Sequence, residues 1–64
     1  MNNLKVGDRI RSAISKVGTN GDPIIIHNGL VIFLKNLKEF QMNQIVTVKI
    51  TAVKEKFATA EKIK

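Results

Sequence analysis

The chain is poor in several residue types, and each shortage excludes a class of protein. Its 64 residues include no cysteine, tryptophan or tyrosine, which rules out a disulfide framework and a thiolate metal site. The most apolar stretch, residues 23–37, is too short and too often interrupted by polar residues to span a bilayer. The N-terminus also lacks the apolar core of a secretion signal. We therefore expect one basic, soluble, cytoplasmic domain over residues 1–64, without a membrane partner and monomeric.

Residues that support catalysis are equally sparse. His27 is the only histidine, and no Ser or Asp partner stands at a recognisable catalytic spacing from it. Asp8 and Asp22 lie in turn sequences, where Asx geometry explains them. The segment Gly18-x-x-Gly21 lacks the Lys-Ser/Thr pair of a phosphate-binding loop. The sequence therefore predicts a protein that is not an enzyme and that holds neither a metal nor a cofactor.

The abundant apolar residues favour strands. Nine Ile, six Val and four Thr are β-branched, and such side chains pack well on a pleated surface. Apolar and polar residues alternate over 9–15 and again over 45–51, which predicts two strands that are each half buried. A charged turn at 54–56 then leads into a last short strand over 57–61.

A hairpin is the clearest local feature of the sequence. Asn28-Gly29 separates the apolar runs 24–27 and 30–34. This dipeptide specifies a two-residue type I′ turn, because both of its residues must adopt positive φ. The two runs are therefore predicted to pair as antiparallel strands.

The period changes after the hairpin. Asn36, followed three residues later by Glu39, resembles the start of a capped helix. Leu37 and Phe40 would share one face of such a helix, and Asn43 suits a left-handed terminator. A helix of about two turns is therefore predicted between the third and fourth strands.

Five strands and one short helix suggest a closed sheet, because closure removes exposed strand edges. The expected fold is all-β, a small five-stranded OB-like β-barrel with the helix between strands 3 and 4. An SH3-like barrel is the competing closure, and periodicity alone does not separate the two.

The order of these features resembles the TRAM domain, a small OB-like RNA-binding module found in some tRNA-modifying enzymes and as free-standing archaeal proteins. The match runs through Gly7-Asp8, Gly18-x-x-Gly21-Asp22, 29–34, 46–50 and 57–61. It departs from the family pattern in loops, where Pro23 follows Asp22 and Lys35 stands where the family usually has proline. The resemblance implies RNA binding and, for a free-standing member, a role like that of a cold-shock RNA chaperone.

The surplus of positive charge points to the same kind of partner. Eleven Lys and Arg against five Asp and Glu give a net charge of +6, and cations along one face displace the counterions of a polyanion. Exposed phenylalanines would stack on bases if Ile32, Leu34, Ala58 and Ala60 point inward. The predicted contacts with single-stranded RNA are Arg9, Arg11, Lys16, Phe33, Lys35, Lys49, Lys54, Lys56 and Phe57.

Two other functions fit the sequence. A small basic barrel can coat duplex DNA, and a Lys-rich surface can simply solubilise a protein-interaction module. The apolar hairpin of residues 24–34 would leave a patch for a protein partner in the second case.

Overall fold

A computed structural model describes residues 4–63, which form one curled sheet without any helix. Its strands are β1 (Arg9–Ala13), β2 (Lys16–Val17), β3 (Pro23–His27), β4 (Leu30–Lys35), β5 (Ile45–Val53) and β6 (Phe57–Ile63). Their order across the sheet is β1-β5-β6-β4-β3-β2. The all-β prediction is confirmed as a curled half-barrel, whereas residues 4–63 form six strands and not five. No part of residues 4–63 is a helix able to cross a membrane.

The sixth strand arises because the predicted first strand is bent. The chain pairs with β5 as far as Ala13, turns at Ile14 and Ser15, and pairs with β3 from Lys16 onward. Ile14 is fully buried at the bend, and its amide donates to the carbonyl of Gln44 at 2.9 Å. One segment therefore supplies both outer strands of the sheet, β1 and β2, and curls the sheet around the core.

The predicted hairpin is confirmed. Asn28 and Gly29 have φ values of 51° and 83°, and His27 pairs with Leu30 directly across the turn. Gly29 carries a positive φ that an L side chain adopts only at a cost. The turn joins β3 to β4, and β4 then pairs in parallel with β6.

The predicted helix between the third and fourth strands is wrong. Asn36 has a φ of 64°, outside the extended region that a helix N-cap occupies, and its side-chain amide donates to Glu61 instead. The amide of Asn43 donates to the carbonyl of Ile14 rather than to its own segment. Leu37 and Phe40 still pack against the core. The segment between β4 and β5 is thus a loop tied down by partners outside itself.

The core is aliphatic. Ile32, Leu34, Val48 and Ala60 have no exposed surface, and they alternate along their strands with residues on the opposite side of the sheet. No aromatic residue is buried within residues 4–63. Burial of each larger aliphatic side chain stabilises the fold by about 1.5–3 kcal/mol. Because Ile32, Leu34, Ala58 and Ala60 do point inward, both Phe33 and Phe57 are directed away from the core.

Candidate nucleic-acid interface

The side of the sheet that faces away from the core is polar, cationic and aromatic. Directly paired residues on neighbouring strands place their side chains on the same side. Following the pairing from β1 to β4 therefore identifies the residues of this side, which we call the outer face. Its polar, charged and aromatic members are Arg9, Arg11, Thr47, Lys49, Thr59, Glu61, Phe33, Lys35 and Phe57, together with Thr51, whose hydroxyl lies 3.0 Å from that of Thr59; Val31, Ala52 and Ile63 are its apolar members.

One row of the outer face carries four charges. Arg9 lies opposite Lys49, Lys49 lies opposite Glu61, and Glu61 lies opposite Lys35. Like charges placed directly opposite each other destabilise a sheet, so the pair of Arg9 and Lys49 has an electrostatic cost. Within residues 4–63 the only ion pair joins Lys35, at one end of the row, to Asp22 in the loop between β2 and β3 at 3.7 Å. Arg9 and Lys49 therefore present positive charge that no ion pair within the described residues neutralises.

Two phenylalanines form an aromatic pair beside this row. The centroids of the Phe33 and Phe57 rings lie 5.7 Å apart, and the ring planes meet at 85°. This edge-to-face geometry is favourable for two rings. The parallel register of β4 and β6 produces it, because Val31 pairs with Phe57 and Phe33 with Thr59. Phe57 is 37% exposed, so part of its ring is open to a ligand.

A surface cavity of about 220 Å³ adjoins the aromatic pair. Its lining residues come from the loop between β2 and β3 and from β4 and β6: Gly18, Thr19, Asn20, Asp22, Phe33, Lys35, Phe57 and Thr59. The loop approaches the sheet closely, since a Cβ at Gly18 would lie 3.5 Å from Cε1 of Phe33. The cavity thus has an aromatic wall on the sheet and a polar wall on the loop.

The structure brings together some of the residues predicted from the sequence. Phe33, Phe57 and Lys35 line the cavity, while Arg9 and Lys49 stand in the charged row.

Other predicted contacts lie farther away. Arg11 is one step beyond the charged row, opposite Thr47. Lys16 stands on the edge strand β2, opposite Ile24. Lys54 and Lys56 occupy the turn that precedes Phe57. None of these four cations lines the cavity.

The sequence interpretation missed the polar wall of the cavity and the acidic member of the charged row. The sequence identified Asn20 and Asp22 only as turn residues and Glu61 only as an acid among lysines. The turn-rich sequence before β3 marked a loop, but no local signal indicates which strands a loop will face. Glu61 accepts a hydrogen bond from Nδ2 of Asn36 at 3.0 Å, a contact between residues 25 positions apart.

The described residues do not contain the constellation that a metal ion requires. Within residues 4–63, no three His, Asp or Glu side chains gather into a group able to hold one. The residues that line the cavity offer stacking, hydrogen bonding and charge attraction.

Comparisons with known proteins agree with this kind of site. The family model of the TRAM domain matches residues 3–63. The chain is 45% identical over 60 residues to an uncharacterized protein of Methanocaldococcus jannaschii, covering 94% of this chain and 74% of that protein. The solution structure of a conserved protein of Methanococcus maripaludis superposes with a TM-score of 0.80 at 34% identity, covering 95% of this chain and 83% of that one.

An enzyme also shares this region. The ribosomal RNA large subunit methyltransferase E of Methanosarcina barkeri is 38% identical over 58 residues, which are 91% of this chain but 21% of the methyltransferase. The likeness is therefore confined to the TRAM part of that enzyme. TRAM domains bind nucleic acids, generally RNA, so the prediction of a non-enzymatic binding module is confirmed. The chain belongs to the TRAM domain family.

Proposed function

We propose that this protein binds single-stranded RNA across its outer face with low sequence specificity and acts as an RNA chaperone. The observation that carries the proposal is the aromatic pair of exposed Phe57 and half-buried Phe33 on the same side of the sheet as Arg9 and Lys49. Unpaired bases stack on aromatic side chains while cations hold the backbone that connects them. The ribosomal RNA methyltransferases among the relatives add support, because they carry a similar domain within proteins named for an RNA substrate.

Single-stranded RNA suits the aromatic pair better than a duplex does. The bases of a duplex are stacked on each other, and their faces are closed to side chains. Phe57 offers a ring that is exposed at the surface, and a base released from a duplex offers a free face. Stacking of this kind contributes about 1–3 kcal/mol per base and tolerates every base, which explains the low sequence specificity that we propose.

The cations would set the path of the backbone. Arg9, Arg11 and Lys49 are proposed to contact phosphates on one side of the aromatic pair, and Lys35 at the cavity. Lys16, Lys54 and Lys56 would extend the positive field around these contacts. If about four phosphates are neutralised, log K should fall with log salt at a slope near −3.

A chaperone role follows from a preference for unpaired strands. A protein that binds single strands more tightly than duplexes shifts the equilibrium of an RNA hairpin towards the open form. Weak, sequence-tolerant contacts also allow release, so that the RNA folds again.

The first experiment is fluorescence anisotropy of a labelled, unstructured RNA of 12 nucleotides, titrated at low and at physiological salt. A duplex DNA of the same length serves as competitor. We expect salt-sensitive binding that the duplex displaces poorly. Preferential loss of the RNA to the duplex would assign the protein to the class that coats DNA. No binding at low salt would contradict the proposal and direct the search to a protein partner.

The chaperone part needs its own measurement. An RNA hairpin with a fluorophore and a quencher at its ends reports opening directly. We expect fluorescence to rise with protein concentration at a fixed temperature. Binding without any rise would retain the RNA-binding proposal and reject the chaperone role.

A further inference from the structure

We propose that the cavity beside Phe33 and Phe57 holds one unstacked guanine base and that the Asp22 carboxylate accepts the hydrogen bonds of its Watson–Crick edge. This inference rests on the proposed binding of single-stranded RNA. It goes further by assigning a base preference to one position of a strand that is otherwise bound without regard to sequence.

The aromatic wall of the cavity suits the flat face of a base, and the polar wall suits its edge. The sheet contributes the rings of Phe33 and Phe57, which stand nearly perpendicular to each other. A base that stacks on one ring therefore meets the other ring with its edge. The loop contributes Thr19 and Asn20, whose side chains donate and accept hydrogen bonds, and Asp22, whose carboxylate accepts them.

The loop that carries Asp22 is held in place against the aromatic wall. The amide of Gly18 donates to the carbonyl of Asp22 at 2.8 Å, and the amide of Gly21 donates to that of Gly18 at 2.9 Å. Pro23 follows immediately, and its side chain is fully buried. The site therefore exists before the ligand arrives, which lowers the entropic cost of binding.

The Asp22 carboxylate has capacity for a ligand. Within residues 4–63 its side-chain partner is Lys35, whose Nζ lies 3.7 Å from Oδ2. That distance allows attraction between the charges but is longer than a direct hydrogen bond. The Asp22 side chain is 36% exposed and belongs to the cavity lining. A carboxylate has about four acceptor positions, so donors from a base find room there.

Guanine matches a carboxylate better than the other bases of RNA do. Its N1–H and N2–H groups are adjacent donors that point the same way, so both carboxylate oxygens accept at once, as they do from arginine. Cytosine and adenine present an exocyclic amino group next to a ring acceptor. Uracil presents one N–H between two carbonyl oxygens, and these repel the carboxylate. The expected preference is therefore guanine first and uracil last.

The test measures the binding of oligouridylate dodecamers that differ at one central position. That position holds guanosine, inosine, adenosine, cytidine or uridine, and anisotropy gives each dissociation constant. We expect the guanosine strand to bind at least about fivefold more tightly than the all-uridine strand, the discrimination typical of a bidentate contact. Inosine lacks the N2 amino group and should be intermediate.

Two variants separate the carboxylate from a general charge effect. Asp22→Asn should abolish the guanosine preference while it leaves binding of the all-uridine strand unchanged or stronger, because a negative charge is removed. Glu39→Gln makes the same change in net charge on an exposed residue outside the cavity lining, and it should keep the preference. Circular dichroism would confirm that both variants are folded.

The possible failures are distinguishable. Equal affinity of the wild-type protein for all five strands, or a guanosine preference that survives Asp22→Asn, would overturn the guanine site and leave RNA binding intact. Absence of binding to every strand would overturn both the site and the proposed function.

Discussion

The two sides of the single sheet differ in every property that matters for function. The inner side is built from Ile, Val, Leu and Ala and contains no charged group and no aromatic ring among the buried residues of 4–63. The outer face carries Phe33, Phe57 and the charged row. Both are made by the same strands, because successive residues point to opposite sides. Residues that stabilise the core therefore alternate along each strand with residues that are available for recognition.

This separation explains why two phenylalanines lie where they contribute little to the stability of the core. Aromatic side chains bury more apolar area than any others, and a barrel of this size has a thin core. Yet Phe57 is 37% exposed and Phe33 is only partly covered. Placing two of three phenylalanines outside the core reduces the stability that they could provide. We propose that the two rings instead bind a ligand with flat apolar faces.

The largest expected effect comes from breaking the inner side. Ile32→Ala removes a fully buried side chain at the centre of the core and should lower the free energy of unfolding by about 2–5 kcal/mol. Ile26→Ala in the same hairpin is the control, because Ile26 is 37% exposed. Urea unfolding followed by circular dichroism measures both. Equal losses for the two variants would contradict the assignment of inner and outer sides.

The next effect tests the aromatic part of the outer face. Phe57→Ala should weaken binding of single-stranded RNA by about 1–3 kcal/mol, while the loss of its contact with Phe33 should cost only about 0.5–1.5 kcal/mol of stability. Phe57→Leu retains apolar volume without a ring. Anisotropy compares the three proteins. If the leucine variant binds RNA as tightly as the wild type, Phe57 contributes apolar contact and not ring stacking.

A smaller effect tests the charges of the outer face against an equal charge elsewhere. Lys49→Gln should make the slope of log K against log salt shallower by about 0.7, the value for one phosphate contact of a single strand. Lys62→Gln changes the net charge equally, but Lys62 pairs with Val48, whose side chain is buried on the inner side. Its slope should stay near that of the wild type. Identical slopes for both variants would mean that only net charge matters.

The smallest effect concerns the acid within the charged row. Glu61→Gln removes the negative charge between Lys49 and Lys35 and should strengthen RNA binding by about 0.2–1 kcal/mol, a range typical of exposed charge pairs. Glutamine keeps a side-chain carbonyl that accepts the hydrogen bond from Asn36. Weaker binding at low salt would show that Glu61 contacts the ligand favourably.

Several features were determined by the sequence alone. Alternation in β5 placed Val46, Val48 and Ile50 on the inner side and Lys49 on the other, because the side-chain period of a strand is two. Asn28-Gly29 determined the hairpin, because few other dipeptides adopt positive φ at both positions. Local backbone preferences were sufficient in both cases.

Only the tertiary structure determined which residues come together on the outer face. Phe33 and Phe57 are 24 positions apart in the chain, and they meet because β4 and β6 pair in parallel in a particular register. The loop of Asp22 reaches the same place because the first strand bends at Ile14. The sequence predicted that Asn36 caps a helix, yet its side-chain amide donates a hydrogen bond to Glu61 on β6. Each outcome depends on contacts between distant segments, and these outweigh the weak local preferences of a short polar stretch.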